Sequence, residues 1–168
     1  YAIAWVKIEN GEMQSGKLAN NPSYYSYGQE VLAVADGVVA TAVDGRPENV
    51  PGHVPPLDLF APVCTICGNH VVLELAQGQF ATYMHLQPSS LRVATGDRVR
   101  RGQVLGLVGN SGESFQPHLH FHVTTEPGMT GQGLPYLIER FSIIDPSGAP
   151  QLRTRELPLD GMVIDFGS

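Results

Sequence analysis

Gly96–Val123 reads GDRVRRGQVLGLVGNSGESFQPHLHFHV, and its closing run, Pro117–Val123, decides the fold. His118, His120 and His122 alternate there with Leu119, Phe121 and Val123. Side chains of a β-strand point to opposite faces in turn, so the three imidazoles share one face and the apolar residues the other. At a rise of about 3.4 Å per residue, histidines two apart stand roughly 7 Å apart at their Cα atoms. Two such rings can converge on one small target, such as a metal and its bound water. The apolar face anchors the strand in a core, which makes it a rigid platform for a site.

The rest of the chain agrees with a β reading. It has 168 residues, enough to bury a core as a single domain over 1–168 without staples. With 19 glycines and 13 prolines it favours many short strands over a helical bundle. A net charge of −6 disfavours a nucleic-acid partner, which would demand clustered Lys and Arg. Arg98, Arg100 and Arg101 are a local basic patch, read most simply as a solvated strand face. No apolar run reaches the roughly 20 residues that span a bilayer, and no signal-peptide pattern opens the chain. Tyr1 lies inside an expected strand, so the natural N-terminus is expected further upstream.

Outward from the histidine strand, the elements alternate strand and turn. Tyr1–Ile8 reads as a strand, and Pro22–Gly28 as an aromatic turn. Val31–Val43 predicts two short strands joined at Asp36-Gly37, a favoured hairpin dipeptide. Asp44–Asn69 is a Pro-rich insertion, of a length that is often functional or substrate-facing. His70–Leu75 and Gln79–His85 form the next pair, followed by Leu91–Val93, Arg98–Val99 and Val104–Val108. Beyond Val123, residues 126–168 form a C-terminal extension with a Gly-rich loop, a short helical turn at Tyr136–Ser142 and a last strand. The expected fold class is all-β: antiparallel sheets in a sandwich or partly open barrel with a central groove and few or no helices.

Of the six histidines, His53 and His70 read as ordinary surface or core residues. His85 ends the strand ATYMH, and an antiparallel neighbour of the 118–122 strand is expected to set it opposite His118. Three imidazoles from two strands then share a cleft. Neutral imidazole binds zinc, and free imidazole titrates near physiological pH, so one cluster can supply both a ligand and a general base. The pair Cys64 and Cys67 allows three readings: a local disulfide, half a zinc site, or a redox motif. An oxidised pair argues for an extracytoplasmic compartment.

PHLHFHV, the GNSG turn before it, V-x-x-GDRVRRGQVLGLVG and GNHVVLELAQGQFATYMHLQP occur in the order that resembles the lysostaphin/LytM-type zinc metallopeptidases, best over 31–123. The resemblance implies an antiparallel β-groove with Zn2+ at its floor and a peptidoglycan or Gly-rich peptide substrate outside the bacterial cytoplasm. It assigns His120 as a metal ligand. It also assigns His85 and His118 as the catalytic histidines that orient the attacking water and stabilise the charged intermediate. His122 is given no role. By the same pattern two further ligands, a His and an Asp, precede the AVADG strand. Residues 1–28 contain neither; Ala4 stands at the aspartate position, and the histidine would lie before Tyr1. The chain therefore reads as a peptidase of this type with an incomplete metal site. The alternative is a non-catalytic relative that binds cell-wall peptide or activates another hydrolase. A biotinyl- or lipoyl-type carrier is disfavoured because Lys7 and Lys17, the only lysines, are not on the hairpin such a carrier modifies.

Overall fold

A computed structural model of the chain describes residues 1–53 and 65–167. Among the described residues, twelve strands follow in order: β1 (Ile3–Trp5), β2 (Glu30–Leu32), β3 (Gly37–Val43), β4 (Asn69–Glu74), β5 (Phe80–Leu86), β6 (Arg98–Val99), β7 (Val104–Leu107), β8 (Leu119–Thr124), β9 (Gly133–Leu134), β10 (Ile138–Ile144), β11 (Pro150–Glu156) and β12 (Ile164–Asp165). Helical structure among the described residues is confined to short 3₁₀ turns such as Asn21–Ser23 and Ala76–Gly78. The fold is all-β and its named strand pairs are antiparallel, as the spacing of turn residues implied. Contacts divide the chain into a larger unit, Ala2–Gly133, and a smaller one, Leu134–Ser168 together with Tyr1.

In the larger unit the main sheet runs β1-β8-β5-β4-β3-β6, and β2 pairs with β7 in a two-stranded sheet. Register explains its two faces. Val39, Leu73, Ala81 and Val123 lie in one cross-strand row, and Ala42, Val71, Tyr83, Phe121 and Ile3 in the next, all on one side. That side is the core: Val71, Leu73 and Ala81 are fully buried, and the rings of Tyr83 and Phe121 meet at 5.1 Å. Each large side chain so buried contributes about 1.5–3 kcal/mol of transfer free energy. The Tyr83 hydroxyl accepts the Val34 N–H at 2.9 Å, tying the segment after β2 to the core strands. The opposite side carries Thr82 against His122, and Met84, His120 and Ala4 in one row. The alternation read from PHLHFHV is thus realised, with imidazole on one face and hydrocarbon on the other.

Three local expectations are corrected. Asp36-Gly37 is no hairpin turn, since β2 pairs with β7 while β3 pairs with β4 and β6. Glycine is needed at 37 for close approach: a Cβ there would meet the Glu74 carbonyl oxygen at 2.6 Å. The N-terminal strand is shorter than Tyr1–Ile8, covering Ile3–Trp5 alone. Tyr136–Ser142 is not helical, because Ile138–Ile144 forms the centre of the smaller unit's sheet, β11-β10-β12. Its isoleucines suit a pleated surface, and six register pairs with β11 outweigh any local helical preference. Cys64 and part of the Pro-rich insertion lie outside the described residues, and with them the state of the Cys64–Cys67 pair.

Candidate functional site

The histidine face of β8 meets the end of β5, and a bulge determines how. Asn69 pairs with Leu86 and Val71 with Tyr83, so His70 of β4 stands against two residues of β5, Met84 and His85. His85 sits in the left-handed region at φ 65°. Regular alternation would have turned its side chain away from the His120 face, because Met84 is the residue paired with His120. The bulge re-aims it, which is a common use of bulges beside sites. The expectation that His85 lies opposite His118 in register is therefore wrong, yet the rings still meet. His85 and His118 have ring centroids 4.7 Å apart, and His85 and His120 5.9 Å. The displaced backbone of His85 is satisfied off the ladder: its N–H donates to the Cys67 carbonyl at 3.1 Å, and its carbonyl accepts the Gly109 N–H at 3.0 Å.

Each ring is held by a partner that decides where its proton sits. His85 Nδ1 lies 2.8 Å from the Ser111 carbonyl, and His118 Nδ1 lies 2.8 Å from the Gln116 carbonyl, with Ser114 Oγ at 3.2 Å. A carbonyl oxygen only accepts, so both Nδ1 atoms carry the proton and both Nε2 atoms keep a free lone pair. His120 Nε2 lies 3.1 Å from His122 Nδ1, which leaves His120 Nδ1 as its other ring nitrogen. His85, His118 and His120 each offer one nitrogen, and these atoms lie within 4.8 Å of one another. Burial, first of all, pushes all three below the ordinary histidine range. His85 reaches about 3, with the His118 charge next in importance, and His120 about 4, with His122 next. They are neutral at physiological pH and therefore competent as donors.

The loops behind the rings are fastened by hydrogen bonds between the GNSG motif and the side chains of Asn49 and of Glu48, itself bonded by Tyr27, with Ser111 adding its own hydroxyl. Asn110 N–H donates to Glu48 Oε1 at 3.1 Å, and Tyr27 donates to Glu48 Oε2 at 2.7 Å. Ser111 Oγ donates to the Leu86 carbonyl at 2.8 Å and accepts from the Asn69 N–H at 2.9 Å. Asn49 Nδ2 donates to the carbonyls of Gly112 at 2.7 Å and Ser114 at 3.0 Å. Gly112, at φ 74°, packs directly on Gly68, and no side chain fits between them. This network is what presents the Ser111 carbonyl to His85 and sets the start of the loop leading to His118.

The structure thus brings together His85, His118 and His120, the three residues singled out from the sequence. His70 is buried, with Nδ1 2.8 Å from the Gly68 carbonyl, and stands outside the converging set; His53 is exposed. His122 was given no role, but it bonds His120 directly, and the alternation H-x-H-x-H was the signal that could have found it. Neutral imidazole is a zinc donor, so the three converging nitrogens suit a metal ion by their chemistry; by the roles the resemblance assigns, His120 is the one ligand among them, short of the three protein ligands that a catalytic zinc takes. Ala4, exposed on β1, is the cross-strand partner of His120, so a methyl group occupies the position assigned to a ligand aspartate.

A family model described as peptidase family M23 matches residues 23–132. The chain is 41% identical over 56 residues to the peptidoglycan DD-endopeptidase ShyA of Vibrio cholerae, covering 33% of this chain and 13% of that protein. It is 51% identical over 43 residues to the glycyl-glycine endopeptidase ALE-1 of Staphylococcus capitis, covering 26% of this chain and 11% of that protein. Among solved structures, the catalytic domain of a mutant of the prophage-encoded M23 protein EnpA from Enterococcus faecalis is similar at a TM-score of 0.46. The identity there is 21%, over 77% of this chain and 92% of that one. The matched stretches are thus a small fraction of the two relatives' full lengths.

Proposed function

The chain belongs to peptidase family M23, and from that premise we propose that the cluster of His85, His118 and His120 is the centre of a zinc-type hydrolase acting on peptide bonds of peptidoglycan. The observation that carries this reading is that three ring nitrogens, from β5, β8 and the residue just before β8, lie within 4.8 Å of one another, two of them with lone pairs left by Nδ1 hydrogen bonds to backbone carbonyls. Zinc, when bound, supplies a Lewis acid that acidifies its water and polarises the scissile carbonyl. His120, through Nδ1, would hold it. His118 Nε2 and His85 Nε2, neutral because they are buried, both accept hydrogen bonds from the attacking water and orient it; one of them takes the proton released on attack, and the imidazolium so formed donates from Nε2 to the developing oxyanion. The Gln116 and Ser111 carbonyls keep the Nδ1 protons in place and so aim both Nε2 atoms inward. The substrate places the protein outside the cytoplasm, in the envelope or beyond it. No helix among the described residues is long and apolar enough to cross a membrane.

Ala4 favours a second reading. With a methyl group beside His120, the described residues lack the anionic ligand of the family pattern, and metal retention is weak. The chain then binds cell-wall peptide, or activates another hydrolase, through the same groove without turnover. Elemental analysis of the purified protein, followed by incubation with soluble peptidoglycan fragments with and without added zinc, separates the two. Zinc-dependent release of new amino termini that disappears in His118→Ala supports hydrolysis. Saturable binding without cleavage at any zinc level supports the binding module.

A further inference from the structure

We infer that His122 is a positioning residue, which together with the Gly128 carbonyl dictates the tautomer of His120. His122 Nε2 lies 2.9 Å from the Gly128 carbonyl oxygen, and His122 Nδ1 lies 3.1 Å from His120 Nε2. The carbonyl accepts, so His122 Nε2 carries a proton. A neutral imidazole has one N–H and one lone pair, which leaves His122 Nδ1 as the acceptor. His120 Nε2 must then be the donor, and His120 Nδ1 is left with the lone pair. A single carbonyl at the end of the relay therefore decides which His120 nitrogen can bind a cation. The two rings stand nearly perpendicular, with centroids 5.3 Å apart, so the bond also holds the His120 ring plane.

The far end of the relay is itself anchored. Thr124 Oγ1 donates to the Glu126 carbonyl at 2.7 Å, Thr130 Oγ1 donates to the Pro127 carbonyl at 2.9 Å, and the Gln132 N–H donates to Thr125 Oγ1 at 3.0 Å. These bonds fold the loop after β8 so that the Gly128 carbonyl faces the sheet. His122 is buried on β8 across from Thr82, so its ring has little freedom to rotate out. A metal-binding histidine is characteristically fixed through its second nitrogen, and loss of that partner costs about 10–100-fold in metal affinity. Only this consequence for metal affinity rests on the assignment of His120 as ligand; the tautomer follows from the hydrogen bonds alone.

The test uses ¹⁵N-edited NMR of the imidazole rings in the metal-free protein near pH 8, above the ordinary histidine range. The expected spectrum shows His120 and His122 both protonated at Nε2. In His122→Phe the His120 ring becomes a mixture of tautomers, and zinc affinity, measured by competition with a chromophoric chelator, falls about 10–100-fold. His122→Gln, whose amide supplies both an acceptor and a donor, restores the Nε2-protonated form and most of the affinity. A wild-type His120 protonated at Nδ1 overturns the inference, and so does a folded His122→Phe with unchanged tautomer and zinc affinity. Should His122→Phe fail to fold, the wild-type spectrum and His122→Gln decide the matter. Absence of peptide cleavage in the wild type would refute the hydrolase reading and leave the tautomer result standing.

Discussion

Stability of the metal-free protein should fall steeply between about pH 6.5 and pH 5, and His85 should account for a definable share of the slope. His85 is 4% exposed, and its pKa drops from 6.5 to about 3 on folding. Burial is the chief cause, followed by the facing charge of His118; the Ser111 carbonyl opposes the shift, and His120 and His70 add to it. The unfolded chain binds a proton at this residue below about 6.5, and the folded protein refuses it until about 3. The contribution to stability is therefore complete above pH 6.5 and shrinks as pH falls toward the folded value. Within that window one such histidine costs about 1.4 kcal/mol per pH unit, or about 2 kcal/mol between pH 6.5 and 5. That is a large fraction of the 5–15 kcal/mol typical of a domain. The window ends above the range in which most carboxylates titrate, so the imidazoles dominate it. The assay is urea unfolding at half-unit steps from pH 8 to 5, with a chelator present. His85→Asn is the matched variant, because asparagine tolerates the left-handed backbone that His85 adopts at φ 65°. Its slope should be shallower than the wild type's by about 1.4 kcal/mol per unit, the remainder coming from His70, His118 and His120, which burial also holds below the ordinary histidine range. Equal slopes in the two proteins, or a wild type whose stability is flat over the window, would refute the claim that these rings are held neutral by their surroundings.

Other outcomes follow from the same geometry. His120→Ala should abolish zinc uptake, whereas His85→Asn should retain zinc and lose peptide cleavage; equal metal loss, read by elemental analysis, would reverse the assigned roles. Ala4→Asp places a carboxylate on the His120 face at an exposed position, so it should raise zinc affinity with little effect on folding. Sites with four ligands bind zinc with about 10–16 kcal/mol, roughly 3 per ligand, so a gain on the order of 100-fold is expected by chelator competition. Gly112→Ala should destabilise by more than about 2 kcal/mol, since a Cβ at φ 74° would collide with Gly68 and meet the Ile66 carbonyl oxygen at 2.5 Å. Gly78→Ala, also left-handed but facing open space, should cost only about 1 kcal/mol in the same thermal-shift comparison.

Which features were legible in advance depends on the range of the interaction that produces them. The run ending at Val123 declares the strand Leu119–Thr124, because the alternation of imidazole and hydrocarbon is a local pattern with a period of two. The antiparallel all-β class followed from turn residues punctuating short apolar runs, and the order of motifs pointed to the family. Local signals misled where the partner was distant. Asp36-Gly37 looks like a hairpin only until Gly37 is seen to be small because β4 passes close to it. Ile138–Ile144 becomes a strand because β11 pairs along its length.

From the sequence came the set His85, His118 and His120, and the family resemblance drew attention to Ala4 as standing at its aspartate position. Tertiary structure alone decided how those rings meet. A strand's own alternation would have aimed His85 away, and only the bulge against His70 turns it inward. Each tautomer is set by an acceptor from elsewhere in the chain: the carbonyl of Ser111, of Gln116, or of Gly128 acting through His122. A proton's place on a ring is a property of the atom it points to, and backbone carbonyls are identical in every residue type. No residue letter records which of them will be there.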